Sequence, residues 1–281
     1  MSIRQIFLDK PERVTGFLEP AAVNYFERLY ESGKRSAIVE IAGRDSVAAA
    51  VKAVETDNYT DLLPVYAYTG TEYGSWAAVE TAVARLKKIL PDVEIHPLQI
   101  VGSPAFWRAL NGRFLAELIR RFGFFTPCPG CHLYLHAVRI PLARELGTIP
   151  IIAGERESHS GQVKINQTPS ALDFYQDLAR RFDTELIFPL RHIKSGKAIS
   201  ELLQIPWQRG KEQLQCVFSG NYRSINDVIE VTEDETLRFL EEFAAPVTET
   251  IVQTYMAGKQ PDHADAARSV LSGLQFDNTG S

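Results

Sequence analysis

The residues best equipped for chemistry are three cysteines. Cys128-Pro129-Gly130-Cys131 opens the segment HLYLHAVRIPLAREL, and Cys216 follows far downstream in QLQCVFSGNYR. A thiolate at the start of a helix is stabilised by the helix dipole, and Pro129 and Gly130 permit a tight turn that points both sulfurs one way. A C-x-x-C pair alone is compatible with zinc, a redox disulfide, a cluster site or inert buried thiols. The odd cysteine count argues against a disulfide framework. His132 and His136 stand four apart on one helical face, a spacing that suits a metal ion and equally a packed or solvated pair.

A second stretch, Ala37 to Val51 (AIVEIAGRDSVAAAV), runs an apolar strand through Gly43-Arg44-Asp45-Ser46 into an alanine-rich helix. The unpaired N–H groups at such a helix start make an anion site, usually for phosphate. An ordinary turn capped by Asp45 or Ser46 would read the same. Tyr68-Thr69-Gly70-Thr71-Glu72 follows the apolar run LLPVYAY, and Thr71 could simply cap the next helix. Gly154-Glu155-Arg156-Glu157-Ser158-His159-Ser160 follows TIPIIA, and Pro189-Leu190-Arg191-His192 comes later. A guanidinium fork binds phosphate or sulfate oxygens in pairs, which makes Arg156 and Arg191 candidate oxyanion contacts. Lys164 and Asn166 could line the same crevice or sit on the surface. A salt bridge is the competing role for Arg191.

The elements that must position these residues alternate. The pattern predicts strand 37–41, helix 45–55, strand 63–68, helix 72–90, strand 93–100, helix 104–122, helix 129–146, strand 149–153, helix 170–181 and strand 185–188. Short apolar strands of this kind are buried on both faces of a parallel sheet. The alternation implies an α/β fold with a doubly wound, mainly parallel, Rossmann-like sheet, whose ligands bind beyond the carboxyl ends of the strands. Residues 1–34 read as a helical N-terminal extension and 35–205 as the nucleotide-binding domain. Residues 206–281 read as a loop carrying the third cysteine and a helical region broken at Pro246, with a small, polar tail from Gly258 that is loose at its end.

Taken in order, the motifs resemble the PP-loop superfamily of ATP pyrophosphatases, whose loop pattern is S-G-G-x-D-S. Gly43, Asp45 and Ser46 match, and Ile41 and Ala42 replace the first Ser and Gly. Thr69-Gly70-Thr71-Glu72 looks like the D-T-G-x-E segment of the phosphoadenosine phosphosulfate reductases, with Tyr68 in the Asp position. The Gly154–Ser160 stretch is similar to G-x-R-x-x-x-S of the same reductases. The G-H-N-x-D-D motif of the tRNA-thiolating branch is absent, Ser158 and His159 standing in its place. The cysteine pair with a later single Cys resembles the iron–sulfur-dependent tRNA thiolation enzymes of the superfamily, in which three such residues hold a 4Fe–4S cluster and leave one iron open.

The resemblance implies ATP with Mg2+ over Gly43, Arg44, Asp45 and Ser46, with Thr69, Gly70 and Gly154 beside the nucleotide. Asp45, Arg156 and Arg191 would be the catalytic set. Cys128, Cys131 and Cys216 would hold the cluster, or zinc in its place with His132 or His136 as fourth ligand. The implied reaction adenylates an oxygen, releases pyrophosphate and lets sulfur displace AMP. Two alternatives stay open. One is a phosphoadenosine phosphosulfate reductase-like enzyme using a preformed adenylate, and the other is a non-enzymatic nucleotide- or metal-binding regulator, to which Ile41 and Ala42 point.

Composition sets the outer bounds. The 281 residues are 45% hydrophobic and 23% charged, with net charge −5, as expected of a soluble globular protein with a sizeable core and no global basic field. No apolar run reaches the length of a membrane span and no signal-peptide core opens the chain, so the expectation is a cytoplasmic protein without a membrane partner. From Gly102 to Gly147 six arginines face two glutamates, a basic segment that could contact tRNA or a small anionic substrate. A sulfur donor is a further implied partner. The acidic helical C-terminal region offers a surface for a homodimer.

Overall fold

The structure is a computed structural model that describes residues 12–124, 126–159, 161–207 and 212–274. Helix α1 (Pro20–Glu31) leads into β1 (Ser36–Glu40) and α2 (Arg44–Asp57). Strand β2 (Asp61–Tyr68) and the short β3 (Glu72–Tyr73) precede α3 (Ala77–Ile89), β4 (Glu94–Ile95) and β5 (Gln99–Gly102). Helices α4 (Pro104–Asn111), α5 (Leu115–Phe122), α6 (Cys128–Ala137) and α7 (Ile140–Glu145) come before β6 (Ile151–Ile152). Then follow α8 (Pro169–Arg180), β7 (Leu186–Ile187), α9 (Gly196–Leu203) and β8 (Gln215–Cys216). Helix α10 (Glu233–Phe239) continues through a π turn, Leu240–Ala244, into α11 (Ala245–Met256), and α12 (His263–Gly273) is the last described element.

Six parallel strands form one sheet in the order β4-β2-β1-β6-β7, with β5 extending the β4 edge of β2. Alternation along β1 sorts the core into two layers. Ala37, Val39 and Ile41 pack with Val47, Ala50 and Val51 of α2 and with Val79 and Leu86 of α3. Ile38 faces the other way, toward Phe106, Leu133 and Tyr134 of α4 and α6 and toward Phe243 and Val252 beyond them. The sheet is therefore covered on both faces, and α10 to α12 share the second layer with α4, α6 and α8. The chain leaves β1 for β2 on one side and reaches β6 on the other. The ends of β1 and β6 thus form the topological switch point, where doubly wound sheets bind ligands.

Several element boundaries differ from the expectation, each for a local reason. The predicted helix 72–90 starts only at Ala77, because Gly70 and Gly74 take positive φ values of 82° and 117° and the chain spends Glu72–Tyr73 as a strand. Pro97, which cannot donate to a ladder, divides the predicted strand 93–100 into β4 and β5. Helix 104–122 is interrupted between Asn111 and Leu115, and helix 129–146 between Ala137 and Ile140, next to Pro141. Pro246 does not break the C-terminal helix. The π turn just before it widens the backbone, easing the ring's clash with the carbonyl four residues back. The tail contains α12, capped by Asp262, whose side chain accepts the N–H of Asp265.

Candidate functional site

The Gly43–Ser46 loop lies at the switch point, between β1 and α2. Ser46 Oγ accepts the N–H groups of Ala42 and Gly43, both at 3.0 Å, and donates to the Gly43 carbonyl at 2.8 Å. This hydroxyl holds the loop in shape. The first N–H groups of α2 have no acceptor inside the helix, the arrangement that suits an anion.

The loop after β6 packs directly against it. A Cβ on Gly154 would stand 2.7 Å from the Asp45 carbonyl carbon and from the Ser46 nitrogen, so the two backbones meet where only glycine fits. Arg156, two residues on, is buried. Its Nε donates to Asp45 Oδ2 at 2.9 Å, Nη1 donates to the Ser158 and Ile193 carbonyls at 3.0 and 3.3 Å, and Nη2 lies 3.2 Å from His159 Nδ1. Burial, with the charges of Lys164 and Arg156, pushes the His159 imidazole down to about 4, so it is neutral near pH 7 and can accept from Arg156. The other Asp45 oxygen receives Arg44 Nε at 2.9 Å. The guanidinium of Arg156 is thus taken up by the protein, and its work is to position Asp45.

Arg191 is elsewhere. Its donors reach Glu157 Oε1 and Asp173 Oδ1, both at 2.5 Å, and the Pro169 carbonyl at 3.2 Å. These contacts tie α8 to the loop after β7, which is the salt-bridge role. Lys164 is half-buried, and among the described residues no hydrogen bond or ion pair holds its ammonium. Burial lowers its pKa against the pull of the Glu155 and Asp45 carboxylates, with Arg156 and Cys128 also close enough to act on it. Gln213 crosses the crevice: its Cβ would be 2.9 Å from a methyl added at Gly43.

The three cysteines, 85 or more positions apart in the case of Cys216, meet at one corner of this crevice. Strand β8 pairs antiparallel with β3, placing Cys216 opposite Glu72, and Cys216 Sγ lies 3.4 Å from Thr71 Oγ1. Thr69 supports that turn, its hydroxyl 2.7 Å from that of Thr71 and its N–H 2.7 Å from Glu72 Oε1. The Thr69–Thr71 loop therefore serves the cysteine corner. Gly130 lets α6 approach α4, since a Cβ there would fall 2.4 Å from Asn111 Oδ1. Cys128 Sγ faces Asn221 Oδ1 at 3.5 Å, and near Cys131 the Trp107 indole stacks on Phe218 with its buried N–H left without a hydrogen-bond partner.

Charge on Cys216 acts on both Cys128 and Cys131. Burial outweighs the helix-start stabilisation expected from sequence. It pushes Cys128 up to about 11, despite the opposing bond from Thr126, and raises Cys131 well beyond that. Cys128 and Cys131 therefore stay protonated near neutral pH unless a cation compensates them.

Among the described residues, His132, His136 and Glu155 form a group whose donor atoms all lie within 4.8 Å of one another.

Of the six arginines between Gly102 and Gly147, Arg120 and Arg121 pair with Glu117, Arg139 with Glu40 and Arg144 with Asp183. Arg108 and Arg113 instead line a cavity of about 520 Å³ with Gln260–Ala264. No helix among the described residues is long and apolar enough to cross a membrane.

No protein-family model matches the chain. The uncharacterized protein MJ0009 of Methanocaldococcus jannaschii is 41% identical over 241 residues, covering 83% of this chain and 87% of that protein. Among solved structures, the U34-tRNA thiolase NcsA from Methanococcus maripaludis, with its 4Fe-4S cluster, aligns over 94% of this chain and 84% of its own. That alignment has 12% identity and a TM-score of 0.38, too loose to argue from.

Proposed function

This chain belongs to the family of the Methanocaldococcus jannaschii protein MJ0009, and we propose that its activity is ATP-dependent sulfur transfer at a 4Fe–4S cluster. The observation that carries the reading is the convergence of Cys128, Cys131 and Cys216 beside a phosphate-type loop at the switch point of the sheet. A 4Fe–4S cluster on three thiolates supplies an iron without a protein ligand, where sulfur can be held.

The remaining work falls to the chain itself. The first-turn N–H groups of α2 and the Arg44 side chain receive the phosphates, and Asp45, braced by Arg44 and Arg156, is the carboxylate for the accompanying Mg2+. A substrate oxygen attacks the α-phosphorus and pyrophosphate leaves. Sulfide sulfur then forms the bond to carbon as the carbon–oxygen bond breaks, and AMP departs with the electron pair. The ammonium of Lys164, unpaired among the described residues and close to both Asp45 and Cys128, suits negative charge arising between the two sites. Arg108 and Arg113 are the arginines of the basic segment left to meet a tRNA backbone or a small anionic acceptor.

A second reading, a nucleotide-binding regulator without turnover, draws on Gln213 lying across Gly43. Incubating the anaerobically prepared protein with ATP, sulfide and bulk tRNA separates the two. AMP and pyrophosphate production that is lost in Asp45→Asn supports the enzyme. Nucleotide binding without AMP under every condition supports the regulator.

A further inference from the structure

His132 and His136, one turn apart on α6, converge on Glu155 from the loop after β6. His132 Nδ1 is 2.9 Å and His136 Nε2 3.6 Å from Glu155 Oε1, and the three donor atoms lie within 4.8 Å of one another. No cysteine sulfur joins this group. Nitrogen and oxygen ligands at about 2.0–2.2 Å from a small divalent ion stand about 3.0–3.5 Å apart, so the observed separations bracket the spacing of such an ion.

The surroundings hold each donor in place. His136 Nδ1 faces Glu40 Oε1 at 2.7 Å, and the same oxygen receives Arg139 Nη1 at 3.1 Å, while Arg139 Nη2 donates to the Val65 carbonyl at 3.1 Å. The far nitrogen, Nε2, is left buried with no hydrogen-bond partner in a residue only 2% exposed. At 3.6 Å its approach to Glu155 is too long for a hydrogen bond. An imidazole fixed on one side by a carboxylate and bare on the other is how proteins present a metal-binding histidine. The second oxygen of Glu155 is bonded by Gln167 Nε2, which fixes the carboxylate in the same way.

We propose that His132, His136 and Glu155 bind one divalent first-row transition ion, at a site separate from the cysteines. Two imidazoles and one carboxylate suit zinc or iron(II) and leave coordination positions open. The His132 side chain is a quarter exposed, so those positions can be reached by water or a substrate oxygen. Glu155 is next in sequence to Arg156, which links the ion to Asp45 and the phosphate loop.

Cobalt(II) titration of the full chain carrying Cys128→Ala, Cys131→Ala and Cys216→Ala tests the site. The expected result is one cobalt per chain, with a ligand-field spectrum lacking thiolate charge transfer. Adding Glu40→Gln should weaken binding by about 10–100-fold, as loss of a supporting partner does, and adding His132→Ala by more. His132 is partly exposed, so its variant is expected to fold, as circular dichroism will show. In the wild-type chain, where the cysteines remain, zinc should shift the imidazole nitrogen resonances of His132 and His136. No cobalt on a folded cysteine-free chain, or affinity unchanged by His132→Ala, or wild-type imidazole resonances unmoved by zinc, would each overturn the proposal.

Discussion

Replacing Gly154 by alanine puts a methyl carbon 2.7 Å from two backbone atoms, the Asp45 carbonyl carbon and the Ser46 nitrogen. Ordinary contact begins near 3.4 Å, so the two loops must separate by about 0.7 Å. Neither atom belongs to a side chain that can swing aside. Overpacking of this kind costs about 1–3 kcal/mol. The separation also strains the Arg156–Asp45 bond at 2.9 Å, and with it the placement of the Gly43–Ser46 loop.

Two further alanines calibrate the effect. At Gly43 the obstacle is the Gln213 side chain at 2.9 Å, so the cost should be smaller. At Gly273, in the last turn of α12, nothing lies within 4 Å and the change should be neutral or slightly stabilising. Urea denaturation gives the three free energies, and ATP binding measured by calorimetry gives the functional consequence. Gly154→Ala as stable as Gly273→Ala, with unchanged nucleotide binding, would refute the close approach of the two loops.

Further outcomes follow from the same contacts. Arg191→Ala should lower stability by about 1–3 kcal/mol through the loss of charged hydrogen bonds to Glu157 and Asp173, and leave ATP affinity unchanged, because its donors are occupied away from the loop. Arg156→Ala should lower both stability and ATP affinity, since it removes the brace on Asp45. Arg139→Met takes the arginine charge away from buried Glu40, leaving it His136 alone, and should cost about 3–5 kcal/mol in urea denaturation. In metal-free protein, Cys128 should alkylate roughly a hundredfold more slowly at pH 8 than an exposed thiol, because a thiol pushed up to about 11 carries little thiolate there. The rate should climb as pH rises toward that value.

The central strands were legible because β1 and β2 are short, mostly apolar runs buried on both faces, and the Gly43 loop because it joins such a strand to an alanine-rich helix. The cysteine pair was visible as a local motif. Its meeting with Cys216 depends on two-residue strands, β3 and β8, which leave almost no periodicity to read. Arg191 and Arg156 illustrate a different limit. Both are guanidiniums after sheet strands, and only tertiary contacts assign one to Glu157 and Asp173 and the other to Asp45. Glu40 and Glu155 gave no signal for the same reason: their histidine partners lie on α6, brought near by the parallel pairing of β1 and β6. Helix α12 was missed although Asp262 and Asp265 form a capping signature, because its sequence is small and polar.

Anaerobic purification followed by iron, sulfide and zinc analysis, with Cys216→Ala alongside, tests the account most directly. The prediction is about four irons and four sulfides per chain, falling sharply in the variant. Zinc without iron, or iron unaffected by loss of Cys216, would contradict sulfur transfer at a three-cysteine cluster.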